Sequence, residues 1–108
     1  HIRSDLMLFN STVYQIGGGT HGVISVSIPI NGSKSYEIPD QATMFCFGGW
    51  CNIETCTVIA TRETDKNFHV EINRMGYYGS AVIEGNRLTL KAQSNSASSG
   101  IGGTLIYK

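Results

Sequence analysis

Charged residues are scarce in this 108-residue sequence: Asp, Glu, Lys and Arg make up 15% of it, and the formal net charge is zero. Globular domains usually carry about a quarter of charged residues. Because the sequence has neither net positive charge nor a basic run, we expect no electrostatic binding to nucleic acid or to an anionic membrane surface. The surface must therefore consist largely of Ser, Thr, Asn and Gly, a composition that favours an extracellular or virion protein.

Long hydrophobic runs and helical periodicity are also missing. No apolar stretch reaches the roughly 18 residues of a transmembrane helix, so we expect no membrane insertion. No segment shows the three-to-four-residue apolar spacing of an amphipathic helix. The chain is nevertheless long enough, and at 41% hydrophobic residues apolar enough, to bury the core of one domain. We expect residues 1–108 to form a single domain, the C-terminal part of a longer chain.

Alternation within residues 22–30 is the clearest positive signal. Ile24, Val26, Ile28 and Ile30 occupy one parity, and Ser25, Ser27 and Pro29 occupy the other. This period of two predicts an extended strand, about 30 Å long, against which the other strands pair. The dipeptide Asn31-Gly32 predicts a tight turn, and residues 35–38 are expected to return beside the long strand as its hairpin partner.

The rest of the chain consists of short extended segments separated by turn signals every eight to twelve residues. Further strands are predicted at 6–9, 12–16, 42–47, 55–61, 67–73, 80–84, 87–91 and 101–107, with loops at 17–21, 48–52, 75–79 and 94–100. The pattern predicts an all-β fold, a two-layer antiparallel β-sandwich or jelly roll of about eight to ten short strands. The predicted buried positions are Ile24, Val26, Ile28, Phe68, Val70, Ile72, Leu88 and Leu90.

The three cysteines, Cys46, Cys51 and Cys56, are spaced five residues apart. Structural zinc sites usually place their cysteines closer together on tight turns, so we expect no metal and no other cofactor. A Cys51–Cys56 disulfide is possible if a hairpin brings the two Cα atoms to about 5.5 Å. Three unpaired thiols are the alternative, and the sequence leaves both open.

Nothing in the sequence identifies a catalytic group. Its eight acidic residues contain no obvious pair for glycoside hydrolysis. His21, in the glycine-rich segment 17–21, and His69, outward-facing beside Glu71, are candidate bases, but a lone surface histidine is the commoner case. No lysine follows Gly17-Gly18-Gly19, so this segment is not a phosphate-binding loop. We therefore expect a protein that is not an enzyme.

Aromatic residues in predicted loops are the best candidates for binding. Trp50 follows two glycines, and Tyr77 and Tyr78 lie between Gly76 and Gly79. An aromatic ring buries the apolar face of a sugar, and neighbouring polar groups satisfy its hydroxyls. The predicted ligand-binding residues are Trp50, Tyr77 and Tyr78, with Asn52 and His21 as hydrogen-bonding partners. Alternatively, Trp50 caps the core or lies in a subunit interface.

The low charge, the abundance of Gly, Ser and Asn, the absence of helix and the C-terminal strand Gly103-Thr104-Leu105-Ile106-Tyr107 together resemble the C-terminal head domains of bacteriophage tail fibres and tailspikes. The resemblance is one of whole-chain character and transfers no functional position. It implies that the chain forms a homotrimer in the virion. There the domain either binds a host cell-surface glycan or outer-membrane protein, or stabilises the trimer. It also implies reduced cysteines, because virions assemble in the host cytosol. The alternative is a secreted carbohydrate-binding module or lectin.

Overall fold

The computed structural model describes residues 11–16, 19–93 and 100–108, with side chains from residue 21 onward. These residues form nine strands and no helix, so none of them lies in a helix able to cross a membrane. The strands are β1 (Ser11–Ile16), β2 (Gly19–Ile28), β3 (Ser33–Glu37), β4 (Met44–Cys51), β5 (Glu54–Thr64), β6 (Asn67–Arg74), β7 (Gly79–Glu84), β8 (Arg87–Ala92) and β9 (Ile101–Tyr107). The all-β prediction is confirmed. The predicted strand 6–9 and nearly all of the predicted loop 94–100 lie outside the described residues.

The strands form two antiparallel sheets that pack as a β-sandwich. The larger has six strands in the order β1-β2-β9-β4-β5-β6, and the smaller has three in the order β3-β8-β7. The core lies between them, where Phe45 and Phe47 of β4 and Leu105 of β9 share one buried cluster with Leu88 and Leu90 of β8. All five side chains are fully buried. The predicted burial of Val26, Ile28, Leu88 and Leu90 is confirmed, and Ile24 is half-buried.

The long strand β2 differs from its prediction at both ends. It begins at Gly19, so the predicted loop 17–21 is wrong at its last three residues. The turn at Asn31-Gly32 is confirmed: Asn31 has a φ of 65°, and Gly32 N–H donates to the Pro29 carbonyl at 2.9 Å. The predicted hairpin partner is wrong, because β3 pairs with β8 in the other sheet. Both edges of β2 are already hydrogen-bonded, to β1 and to β9, so the turn carries the chain across the sandwich.

Residues 48–52 are not a loop. Strand β4 continues through Cys51, and only Asn52 and Ile53 form the turn into β5. Gly49 lies in the strand where the neighbouring β9 backbone is very close: a Cβ on Gly49 would collide with the carbonyl oxygen of Gly102. Glycine therefore marks a close approach of two strands here, and not a break in regular structure.

The predicted burial of Val70 and Ile72 on β6 is also wrong. Phe68 is buried, but Val70 is 38% exposed and Ile72 is 40% exposed. In the register with β5, Val70 lies opposite Ala60 and Ile72 opposite Ile59, which leaves Glu71 as an extra residue in a β-bulge. The bulge moves Ile72 to the outer side of the sheet. Val70 keeps the inner side, but it lies on the edge strand.

Arg62 links three strand connections at the end of the sandwich opposite the β4–β5 turn. Its half-buried guanidinium lies 4.1 Å from the centroid of the Phe68 ring. It also donates hydrogen bonds to three connections: to the carbonyls of Pro39 (2.9 Å), Ala42 (2.9 Å) and Asp65 (3.1 Å) and to the side-chain oxygen of Asn86. One side chain thus joins the β3–β4, β5–β6 and β7–β8 connections.

Candidate functional site

Two connections meet at the end of the sandwich away from Arg62. These are the β4–β5 turn and the β6–β7 connection, residues 75–78. The backbone N–H of Tyr77 donates to Oε1 of Glu54 at 2.7 Å. Gly76, with a φ of 76°, makes this possible, since a Cβ there would lie 2.7 Å from the same carboxylate oxygen. The Glu54 carboxylate therefore fixes the two connections to each other.

Large apolar side chains are exposed at this end. Ile53 is 90% exposed, Tyr77 70% and Trp50 53%. Tyr78 is half-buried against the core, and its ring meets that of Tyr77 edge to face with a centroid separation of 4.9 Å. Tyr78 therefore supports Tyr77, which projects into solvent. We call the group Trp50, Asn52, Ile53, Tyr77 and Tyr78 the aromatic end.

Trp50 lies on β4 where the aromatic end meets the outer side of the six-stranded sheet. Its indole covers Gly102 of the neighbouring strand β9, which is buried beneath it. A Cβ on Gly102 would collide with the indole ring, so only glycine leaves room for it. One side of the ring thus contacts backbone, while the other side is open to a ligand or a partner. The prediction that Trp50 is near the surface is confirmed, although it lies on a strand.

Asn52 and His21 have different positions in the fold. Asn52 forms the β4–β5 turn with a φ of 59°, and its N–H donates to the Gly100 carbonyl at 3.3 Å. His21 lies on β2, six residues before Ser27, which is level with Trp50 in the sheet register. At about 3.3 Å per residue, this places His21 roughly 20 Å from the aromatic end. Four of the five predicted ligand-binding residues therefore lie at one end of the sandwich, Trp50 on β4 with its ring over Gly102 of β9 and the other three on the two connections, whereas His21 does not.

Ile53 and Glu54 belong to this site, although the sequence analysis assigned them no role. A β-branched apolar residue at the tip of a two-residue turn is exposed by its position, since turns usually carry Gly, Asn, Asp, Pro or Ser. That unusual composition was a signal available in the sequence. The role of Glu54 was not, because it depends on the β6–β7 connection lying beside the turn.

The cysteines near this end are unreactive thiols. All three cysteines are free, and Cys51 and Cys56 are buried. Cys56 donates its S–H to the Met75 carbonyl at 3.1 Å. Burial, with smaller effects from Cys51 and Glu54, raises the pKa of Cys56 to about 11, and burial followed by Glu54 raises the pKa of Cys51. Since the thiolate is the nucleophile, both groups are inert near neutral pH.

The β4–β5 register explains why no cysteine pair or zinc site forms. Cys51 lies opposite Glu54 and Cys56 opposite Gly49, so the two thiols are diagonal neighbours and not directly opposed. Cys46 faces the other side of the sheet. In the part of the chain that the structure describes, no group of three His, Cys, Asp or Glu side chains is placed to hold a metal ion.

His69 is exposed on the edge strand, and its Nε2 lies 4.0 Å from a carboxylate oxygen of Glu71. The same carboxylate accepts a hydrogen bond from the hydroxyl of Thr61 at 3.1 Å. A histidine and a glutamate paired in solvent form an ordinary surface contact. Their position at the sheet edge agrees with the predicted outward orientation of His69.

No protein-family model, no curated protein and no solved structure matches this chain. The function is therefore argued from its sequence and from the geometry of the aromatic end.

Proposed function

We propose that this chain is a non-enzymatic receptor-binding head of a bacteriophage tail fibre or tailspike, which recognises a host cell-surface glycan through the aromatic end. One observation carries the proposal. Trp50 near the end of β4, Ile53 on the β4–β5 turn and Tyr77 on the β6–β7 connection are all exposed at one end of the sandwich, where the Glu54–Tyr77 hydrogen bond fixes the two connections to each other. Exposed apolar clusters of this kind mark interaction sites in soluble proteins.

The chemistry of the aromatic end suits a sugar. The indole of Trp50 and the phenol ring of Tyr77 cover the apolar face of a pyranose, and the amide of Asn52 and the carboxylate of Glu54 offer partners for its hydroxyls. Because the two connections are already joined, little ordering is required on binding. A single small site of this kind binds weakly, so three copies in a homotrimer would gain strength through avidity. A loop of an outer-membrane protein would contact the same residues.

The second candidate is a secreted lectin or carbohydrate-binding module. Free thiols are expected of a virion protein, which folds in the reducing cytosol of its host. They are compatible with both candidates, because Cys51 and Cys56 are not directly opposed across their hairpin. Light scattering separates the two candidates: the head is expected to be a trimer, and the secreted module a monomer or dimer.

The test compares binding of Trp50→Ala and Tyr77→Ala with the wild type on an array of bacterial surface glycans and on host cells. Each aromatic contact contributes on the order of 1–2 kcal/mol, so each variant should bind roughly five to thirty times more weakly. Val82→Ala is the matched control, because Val82 is an exposed apolar residue on the smaller sheet. Wild-type binding by both folded aromatic variants would overturn the proposal. If Trp50→Ala alone dissociates the oligomer, Trp50 is an interface residue. The glycan binding measured for Tyr77→Ala then decides whether the proposal holds.

A further inference from the structure

The two outward surfaces of the sandwich differ sharply in charge. On the smaller sheet, Glu37, Arg87 and Glu84 lie side by side in one row, and Lys91 lies further along β8. The Arg87 guanidinium donates to Glu37 at 2.6 Å, and all four side chains are exposed. This is the usual composition of a surface that faces water.

The outward surface of the six-stranded sheet carries no such charges at the middle positions of its four central strands, although Glu63 of β5 and Glu71 and Arg74 of the edge strand β6 are exposed at its margin. We call this surface the neutral face and define it by the outward positions of β2, β9, β4 and β5 within 21–27, 102–106, 44–50 and 55–61. These positions are His21, Val23, Ser25, Ser27, Gly102, Thr104, Ile106, Met44, Cys46, Gly48, Trp50, Thr55, Thr57, Ile59 and Thr61. At the chain's own charged fraction of 15%, these fifteen positions would carry about two Asp, Glu, Lys or Arg residues, and none is present.

An aliphatic row crosses the middle of the neutral face. In the sheet register, Val23, Ile106, Cys46, Ile59 and Ile72 lie directly beside one another on five adjacent strands. At a strand spacing of about 4.8 Å the row is roughly 19 Å long. Three of its members are exposed large hydrophobic residues: Val23, Ile106 and Ile72. Depletion of charge around an apolar centre is the compositional signature of a protein interface.

We propose that other copies of this chain pack against the neutral face through the aliphatic row. The inference is independent of the ligand proposed for the aromatic end, although Trp50 borders both surfaces. Since the chain has no net charge, two copies approach without repulsion, and a charged partner would find no complement here. A glycan is the poorer occupant because the row offers aliphatic side chains and no aromatic ring.

The shape of the neutral face suits a second copy. Four strands of about seven residues cover roughly 19 by 23 Å, or about 440 Å², which is below the lower limit of specific interfaces, roughly 600 Å² per partner, so a second copy would also contact the β6 margin at Ile72. No side chain protrudes at Gly48, between the row and Trp50, and a Cβ there would meet no atom within 4 Å. Another β-sheet can therefore approach to the usual packing distance of about 10 Å. The aliphatic row is buried in a dimer in which two neutral faces pack against each other. It is also buried in a trimer in which three neutral faces turn towards one axis.

The test measures molar mass by light scattering, from micromolar to submillimolar concentration, for the wild type, Ile106→Lys and Val82→Lys. Ile106 is 46% exposed and Val82 51%, so both lysines are tolerated in an isolated folded chain, as circular dichroism will verify. We expect an oligomeric wild type, a monomeric Ile106→Lys and an oligomeric Val82→Lys. Thr104→Lys, at an exposed position on the same face, is the second variant in case Ile106→Lys does not fold.

Alkylation of Cys46 gives an independent measurement. Cys46 lies in the middle of the row and is half-buried in the isolated chain, whereas Cys51 and Cys56 are buried and serve as internal controls. We expect Cys46 to be protected in the native wild type and to become reactive in Ile106→Lys. A wild type that is monomeric at every concentration overturns the proposal, as does an oligomer that survives both neutral-face lysines. If the wild type is monomeric and the Ile106→Lys monomer loses glycan binding, the neutral face is a ligand-binding surface. This result would also overturn the proposal.

Discussion

Among single residues, Arg62 contributes most visibly to joining the connections of the sandwich. Its guanidinium fills a site bounded by three carbonyl oxygens and an aromatic ring. By contrast, the Arg87–Glu37 pair has a short hydrogen bond of 2.6 Å but lies exposed on the smaller sheet. Exposed ion pairs add little to stability, whereas a half-buried planar group with several acceptors adds much more.

Replacing Arg62 with Ala should destabilise the fold by roughly 3 kcal/mol, since several charge-assisted hydrogen bonds to buried or half-buried carbonyls are lost. Arg62→Lys should recover less than half of the loss, because an ammonium cannot reach the separated oxygens at once. Urea unfolding gives the values, and Arg87→Ala is the control that should change the midpoint far less. Equal stability of Arg62→Lys and the wild type would show that charge alone, and not planar geometry, matters here.

The buried thiols make the free energy of unfolding depend on pH in the alkaline range. In the unfolded chain Cys56 ionises around pH 9, whereas in the folded protein its pKa is raised to about 11. Stability is therefore fully present below pH 9 and declines as pH rises towards 11, and the raised pKa values of Cys51, Tyr36 and Tyr107 act in the same direction. Urea midpoints measured from about pH 8 to about pH 11 should fall, and the fall should be smaller in Cys56→Ala. A midpoint that rises over this range would contradict the burial of these groups.

The diagonal placement of Cys51 and Cys56 and the proposed assembly in the host cytosol predict that the cysteines are reduced. Alkylation in denaturant without a reductant, followed by mass spectrometry, should modify Cys46, Cys51 and Cys56. Protection of Cys51 and Cys56 that disappears on reduction would reveal a disulfide. That result would favour the secreted carbohydrate-binding protein over the virion head.

Among the strands, β4 and β6 show how glycine and a bulge decide the structure. Neighbouring glycines of β4 have opposite surroundings: a Cβ at Gly49 collides with the β9 backbone, while a Cβ at Gly48 meets open space. On β6 the extra residue Glu71 changes which side chains face the core. Neither effect is local, since both depend on the adjacent strand.

Gly49→Ala should therefore be strongly destabilising, because the β9 backbone would have to move away and break its pairing with β4. Gly48→Ala should be tolerated or slightly stabilising, since alanine restricts the unfolded chain and the folded site has room. Thermal unfolding of the two variants is a direct comparison within one strand. Equal midpoints would mean that β4 and β9 are not as close as described.

Val70→Ala and Leu90→Ala compare the edge and the core. Leu90 is fully buried, so its truncation should cost roughly 2–4 kcal/mol through the cavity left behind. Val70 is 38% exposed on an edge strand, and its truncation should cost less than about 1 kcal/mol. Denaturant unfolding measures both. Similar losses would place Val70 in the core, as the alternation in the sequence alone had predicted.

The strands and turns were largely predictable because their signals are local. Period-two alternation located β2 and β8, and Asn31-Gly32 located a real turn. The partner of β3 was not predictable from its neighbour in sequence, because it depends on β2 already being paired on both edges. The glycines before Trp50 were taken as a loop signal, since the sequence does not show which strand lies beside them.

For the whole molecule, the arrangement separates three regions: the Arg62 end, the aromatic end and the neutral face. Trp50 and Tyr77 could be selected from the sequence because aromatic residues beside turn residues are exposed, and the predicted Tyr78 and Asn52 lie half-buried at the same end. The neutral face could not be selected, since its row joins residues from β2, β9, β4, β5 and β6 that only the register brings together. His21 was predicted to join the aromatic residues only because its side chain can form hydrogen bonds. The fold places it near the start of β2, away from the aromatic end.

The central claim is that the aromatic end binds a glycan, and the fluorescence of Trp50 tests it most directly because the chain has a single tryptophan. Titration with a host surface glycan that the wild type retains on an array should shift the emission to shorter wavelength and saturate, since the half-exposed indole becomes covered. Tyr77→Ala should need about tenfold more glycan for the same shift, and Val82→Ala should match the wild type. Calorimetry that detects binding of the glycan while the Trp50 emission stays unchanged would contradict the account.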